Sequence, residues 1–365
     1  MLIVLTLAQL VVICGFIARY AFTQGGTGLR VFAIGVTLFT LLTLGGLVLR
    51  RAWKLWATLV AVSLMATIDL FAWAQNDRVL ASVSFCLLVI MTVLIFRTRV
   101  DATPFVSPMQ RVLFGCVLGF AAWVAFWGLL RPADAVNALP FAVPPLHARF
   151  LGAMYLSGAV GLTLNLMARE WAEVRVITTM LAIWTGMLGL VSLVRFAAFD
   201  WSRAQVWFWF FAYICFPLVA AWITWCQRTE TNGHAGRALP PGIRTYLLVQ
   251  GILATLLAVV LLLAPAFMKT VWPWAISPLL TQLYGAPFLS YGLGSIYAAR
   301  QRTWSEVRTV VAVILVFALS VLGASIVHAR SFNFHSLAAW IWFGGFTVAS
   351  LFLLVRSAIV LRTRR

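Results

Sequence analysis

The sequence predicts an all-α integral membrane protein of about 12 transmembrane helices built from parallel four-helix repeats. Three observations predict it. The first is composition: 63% of the 365 residues are apolar and 10% are charged, against about 25% charged in soluble domains. No soluble surface could cover so much apolar side chain. The second is blocking, because the apolar residues fall in runs of about 20, long enough to cross about 30 Å of hydrocarbon at 1.5 Å per residue. The third is repetition: EWAEVR at 170–175 returns as TWSEVR at 303–308.

Taken in order, the runs place spans near residues 2–18, 30–49, 55–75, 79–96, 111–130, 150–168, 174–194, 206–226, 245–264, 279–298, 307–327 and 336–356. They are continuously apolar, as helices require, whereas barrel strands alternate over about ten residues. No basic leader or small-residue cleavage site precedes Arg19, so the first run reads as a retained helix.

The formal charge of +18 is distributed by topology. With the N-terminus cytoplasmic, the inner loops and C-terminal tail hold 18 of the 27 Lys and Arg residues. That bias orients spans, placing both termini in the cytoplasm of a bacterial plasma membrane. The same residues favour anionic lipid headgroups as partners, and no nucleic acid is expected. The five cysteines lie in or beside spans without CxxC spacing, so they read as small packing residues.

Sliding the chain by 133 residues aligns 111–210 with 244–343 without a gap, about a quarter of the positions being identical. Arg111 meets Arg244, Pro132 meets Pro265, Gly161 meets Gly294, and Trp207 and Trp209 meet Trp340 and Trp342. Apolar composition alone does not fix Pro, Trp, Glu and Arg in this way, so duplication is the reading. The units are a second copy at 111–228 and a third at 244–360, with a degenerate first unit over 1–100 carried by Arg51 and Trp53. An even number of spans per unit makes the copies parallel.

The repeated motif is Arg169, Trp171, Glu173 and Arg175, and again Arg302, Trp304, Glu306 and Arg308. Within one helix Arg169 and Glu173 stand four apart, as do Trp171 and Arg175, so the spacing predicts an ion pair and a cation–π contact. Trp at a span end also favours the headgroup zone. The motif reads as a structural tie; the functional alternative is a carboxylate serving transport or catalysis.

Candidates for chemistry are few. Asp69 is the one carboxylate well inside an expected span, and such residues are functional candidates by default. Asp134, His147 and Arg149 share one proline-rich loop, expected on the outer side, and could serve an outer-face active site. Asp200 and Asn333 read as helix N-caps, and Asn165 and Gln250 as hydrogen-bonding partners between helices. Gly152, Gly158, Gly161, Gly285, Gly292 and Gly294 read as points of close helix approach. Trp272 and Trp274, in the loop equivalent to that of Asp134, predict a segment along the outer interface covering the bundle end. No HExxH, phosphate-cradling glycine loop or GxSxG occurs, and neither a metal site nor a cofactor is expected.

The WPWAISPLLTQLYGA stretch at 272–286 and the WSEVR that follows resemble repeats in multi-pass proteins of Arg-rich, Lys-poor bacteria, a repeat type with no assigned activity. The four-span unit with its early Gly-rich helix is also distantly similar to DoxX-like membrane proteins. The resemblance implies fold and supplies no substrate. Scarce buried charge argues against ion coupling, so the sequence predicts a permease-like or scaffold protein handling an apolar or lipid-like ligand. The alternative is a membrane-embedded enzyme.

Overall fold

A computed structural model describes residues 105–137, 139–141, 143–230 and 237–362. The first four expected spans, the degenerate first unit and Asp69 lie outside these residues. The described helices are α1 (Pro108–Leu130), α2 (Pro145–Met167), α3 (Trp171–Val194), α4 (Ala204–Cys226), α5 (Pro241–Leu263), the short α6 (Pro265–Val271), α7 (Pro278–Ala299), α8 (Trp304–Val327) and α9 (Leu337–Arg362). Each of the eight spans expected beyond residue 110 falls on one long helix. Several helices begin earlier than hydropathy alone indicates, because Pro108, Pro145, Pro241 and Pro278 occupy the first helical turn. Proline's fixed φ and missing N–H suit that position.

Seven of these helices are long and apolar enough to cross a membrane. The eighth, α7, carries Thr, Gln, Ser and Tyr residues and is largely enclosed, with 15 of its 22 residues buried. It packs on α5 and on α3, as α2 packs on α1 and on α8. Helices α5 and α9 lie at the periphery, with 28% and 22% of their most apolar windows buried, against 67% for α2.

Local contacts recur at an offset of 133 residues. Val106 N–H donates to Arg169 O at 2.9 Å, and Leu239 N–H donates to Arg302 O at 2.9 Å. The indole N–H of Trp209 reaches Ser192 Oγ at 2.8 Å, and that of Trp342 reaches Ser325 Oγ at 2.9 Å. Trp207 and Trp340 donate to the carbonyls of Trp201 and Phe334, both at 3.0 Å. Asp200 and Asn333 are not N-caps as expected: each accepts a hydrogen bond from the backbone N–H two residues on, at Ser202 and His335, closing an Asx turn before the helix begins.

The contacts between the two halves are reciprocal. Glu306 pairs with Arg175, and Glu173 with Arg308, so each motif spends its charges on the other. The expected ion pair within a motif is therefore replaced by crossed pairs. Arg175 turns to Glu306 and Gln301 rather than to the Trp171 ring, so the expected cation–π contact is not made either. Trp171 and Trp304 are 4% and 8% exposed, packed inside the protein instead of facing headgroups. Each Glu also closes its own helix start: Glu306 Oε2 accepts from Thr303 N at 2.8 Å and Arg302 N at 2.9 Å, and Glu173 Oε2 from Arg169 N at 3.2 Å. These ties bring the two motifs together at one end of the bundle.

Mid-helix packing crosses in the same reciprocal sense. Gly161 faces Val313, and Gly294 faces Met180; a Cβ at Gly161 would stand 2.6 Å from Val313 Cγ2. At Gly152 a Cβ would come within 2.8 Å of Leu129 N and 2.9 Å of Gly128 C, so α1 and α2 meet backbone to backbone. Gly158 departs from the expectation, since a Cβ there meets only the Trp184 ring, at 3.6 Å. Gln250 Oε1 accepts from Ser295 Oγ at 2.7 Å, as an inter-helix bond should. Asn165 does not, its buried amide having no partner among the described residues.

Four substitutions, in two contrasting pairs, test this packing. Gly152→Ala, which must push two backbones apart, should lower stability by about 1–3 kcal/mol, while Gly158→Ala should be close to neutral. Glu306 is 2% exposed, so Glu306→Ala leaves Arg175 poorly compensated at a buried site and should cost about 3 kcal/mol or more. Arg308 is 44% exposed, so Glu173→Ala should cost less than about 1 kcal/mol. Denaturation of the purified protein in detergent checks each.

Candidate functional site

The end of the bundle opposite the crossed motifs is closed by the two proline-rich loops. One forms a 3-10 turn over Pro132–Asn137, and the other forms α6 and then descends. Trp272 and Trp274 do not lie along an interface: they are 8% and 5% exposed and sit among Phe150, Tyr284, Phe332 and Trp342. The loop is an aromatic plug.

The residues expected to form an outer active site have separate partners. Asp134 pairs with Arg131 at 2.9 Å within its own turn. His147 is buried under the plug; its Nε2–H donates to Ala275 O at 3.0 Å, which leaves Nδ1 to accept from the Tyr284 hydroxyl at 2.7 Å. Arg149 donates to Nε2 of His328 across the two halves. His147 and Arg149 are thus bonded to different elements, and Asp134 to neither. The described residues hold no group of three His, Cys, Asp or Glu side chains placed to bind a metal.

A different site lies at mid-bundle. Val117, Phe120 and Ala121 of α1, Tyr155, Gly158, Gly161 and Leu162 of α2, five residues of α3 from Ile177 to Thr185, and Tyr213 and Phe216 of α4 line a partly open cavity that Tyr291 of α7 and Val313 of α8 complete. Its volume is about 60 Å³, several times the roughly 10–15 Å³ that one water needs. Its wall is nearly all carbon and includes no charged side chain. Phe120 meets Tyr155 and Tyr213 edge-on, at 5.9 and 6.0 Å between ring centroids, and Trp184 leans on Tyr155 and Tyr291 at 5.6 and 5.8 Å.

The cavity exists because the halves differ at a few positions. Gly158 leaves room beside Trp184. At the position 133 residues later stands Tyr291, whose ring stacks on Phe317 at 4.7 Å. Tyr155 and Tyr213 of the first half correspond to Phe288 and Phe346 of the second. Identities between the copies and charged residues do not mark Tyr155 or Tyr213, and Gly158 reads from sequence only as a point of close helix approach. The available signal was the reverse one, a small residue opposite a large one.

At the plugged end, burial first and then the Arg149 guanidinium hold His328 below its ordinary pKa. The neutral ring is the form that accepts from Arg149. The depressed folded value means this contribution is complete above the ordinary value of about 6.5 and is lost as pH falls through the folded value. Unfolding from about pH 7.5 to about pH 5 should show a loss under about 1 kcal/mol, because the ring is partly exposed, and His328→Gln should remove it.

No family model, curated protein or solved structure matches this chain.

Proposed function

We propose that the chain is a polytopic protein of the bacterial cytoplasmic membrane, built from head-to-tail four-helix units, that holds an apolar or lipid-like molecule in the mid-bundle cavity in the manner of a permease. The cavity carries this reading. It is lined by the middles of six helices and partly open, and its apolar wall suits apolar guests. Its size suits a single ring or a length of acyl chain.

The unit architecture is supported by the recurrence of contacts at the 133-residue offset and by the reciprocal ion pairs and glycine contacts. Orientation with both termini in the cytoplasm rests on the 18 Lys and Arg residues counted on that side. The separate partners of Asp134, His147 and Arg149 favour ligand holding over an outer-face reaction.

Gly158→Phe places a ring where the second half already carries Tyr291, so it should fill the cavity without disturbing the helices. Native mass spectrometry of purified protein should find a co-purifying apolar molecule on the wild type and on Gly323→Ala, a change made in open space. Gly158→Phe should lose that molecule. Equal retention by all three proteins would defeat the cavity reading.

A further inference from the structure

The hydroxyl groups around the cavity have a countable set of protons. Ser157 Oγ donates to Met154 O at 2.6 Å and therefore accepts from the Tyr291 hydroxyl at 2.5 Å. Thr185 Oγ1 donates to Leu181 O at 2.7 Å. All three of these protons are committed. The hydroxyls of Tyr155 and Tyr213 are bonded to each other, an arrangement that uses one of their two protons. The second has no acceptor among the described residues, and both rings line the cavity. Tyr155 and Tyr213 are 6% and 3% exposed, so bulk water does not supply the acceptor. A buried O–H donor without a partner is unfavourable, and a guest that brings an oxygen acceptor relieves it.

From this, and resting on the cavity reading above, we infer the class of ligand: an apolar molecule bearing one carbonyl oxygen, such as a ketone or ester, seated with that oxygen at the Tyr155–Tyr213 hydroxyl pair. The second half has Phe288 and Phe346 at the matching positions and no such proton to offer. The site is therefore single among the described residues.

Two probes of matched shape test it, 4-fluoroacetophenone and 4-fluoroethylbenzene, titrated into detergent-purified protein and followed by fluorine NMR, with Gly158→Phe protein as the blank. The ketone should bind about tenfold more tightly than the hydrocarbon. In the double variant Tyr155→Phe/Tyr213→Phe that ratio should fall to about one while 4-fluoroethylbenzene binds as before, which shows the fold is intact. Tyr155→Phe alone keeps one hydroxyl proton and should keep the preference. Equal binding of both probes to the wild type, or a preference that survives the double variant, overturns the carbonyl assignment and leaves the cavity standing. Binding of neither probe, or binding indifferent to Gly158→Phe, overturns the cavity reading and this inference with it.

Discussion

The two halves of the described bundle are joined through carboxylates that serve two helices at once. Glu306 terminates its own helix by accepting from the backbone at Arg302 and Thr303, and with its other oxygen it takes the guanidinium of Arg175. Glu173 does the same in mirror fashion with Arg308. An ionised carboxylate that is 2% exposed is tolerable only when nearly every lone pair is engaged. Helix start, motif and half-to-half contact are therefore one arrangement. The glycine contacts at Gly161 and Gly294 depend on it, because they require the halves to hold one register along their length.

Between this end and the aromatic plug, the interior tolerates a hole. Packing inside an apolar bundle stabilises through close contact rather than through escape from water, so an unfilled space forgoes contacts that its lining could have made. The second half fills the matching space with Tyr291. The first half forgoes that filling at Gly158 and keeps two tyrosines where the second has phenylalanines. Loss of packing together with added polarity at one place is the pattern on which the proposed ligand site rests.

Much of this arrangement was legible in the sequence. The eight helices beyond residue 110 follow from uninterrupted apolar runs, and the proline positions extend them at their starts. The motif's importance to architecture was also legible, since Arg, Trp and Glu are not interchangeable in apolar sequence. Its wiring was not: i, i+4 spacing favours contacts within one helix, and only the juxtaposition of α3 and α8 reveals that the carboxylates reach across. Trp171, Trp304, Trp272 and Trp274 were misplaced for a related reason. Indole prefers the interface when nothing else is offered, and here protein cavities offered more contact. The hydroxyl pair at Tyr155 and Tyr213 is invisible without coordinates, because 58 residues separate its members.

The crossed ties also bear on synthesis. Arg175 and Glu173 leave the ribosome 131 and 135 residues ahead of Glu306 and Arg308. Until the later helices are made, the earlier motif holds two charges whose counter-ions do not yet exist. The first half can reach its final electrostatic state only as part of the whole, and cutting the gene between the halves would yield two fragments that each need the other, in the same place and at the same time.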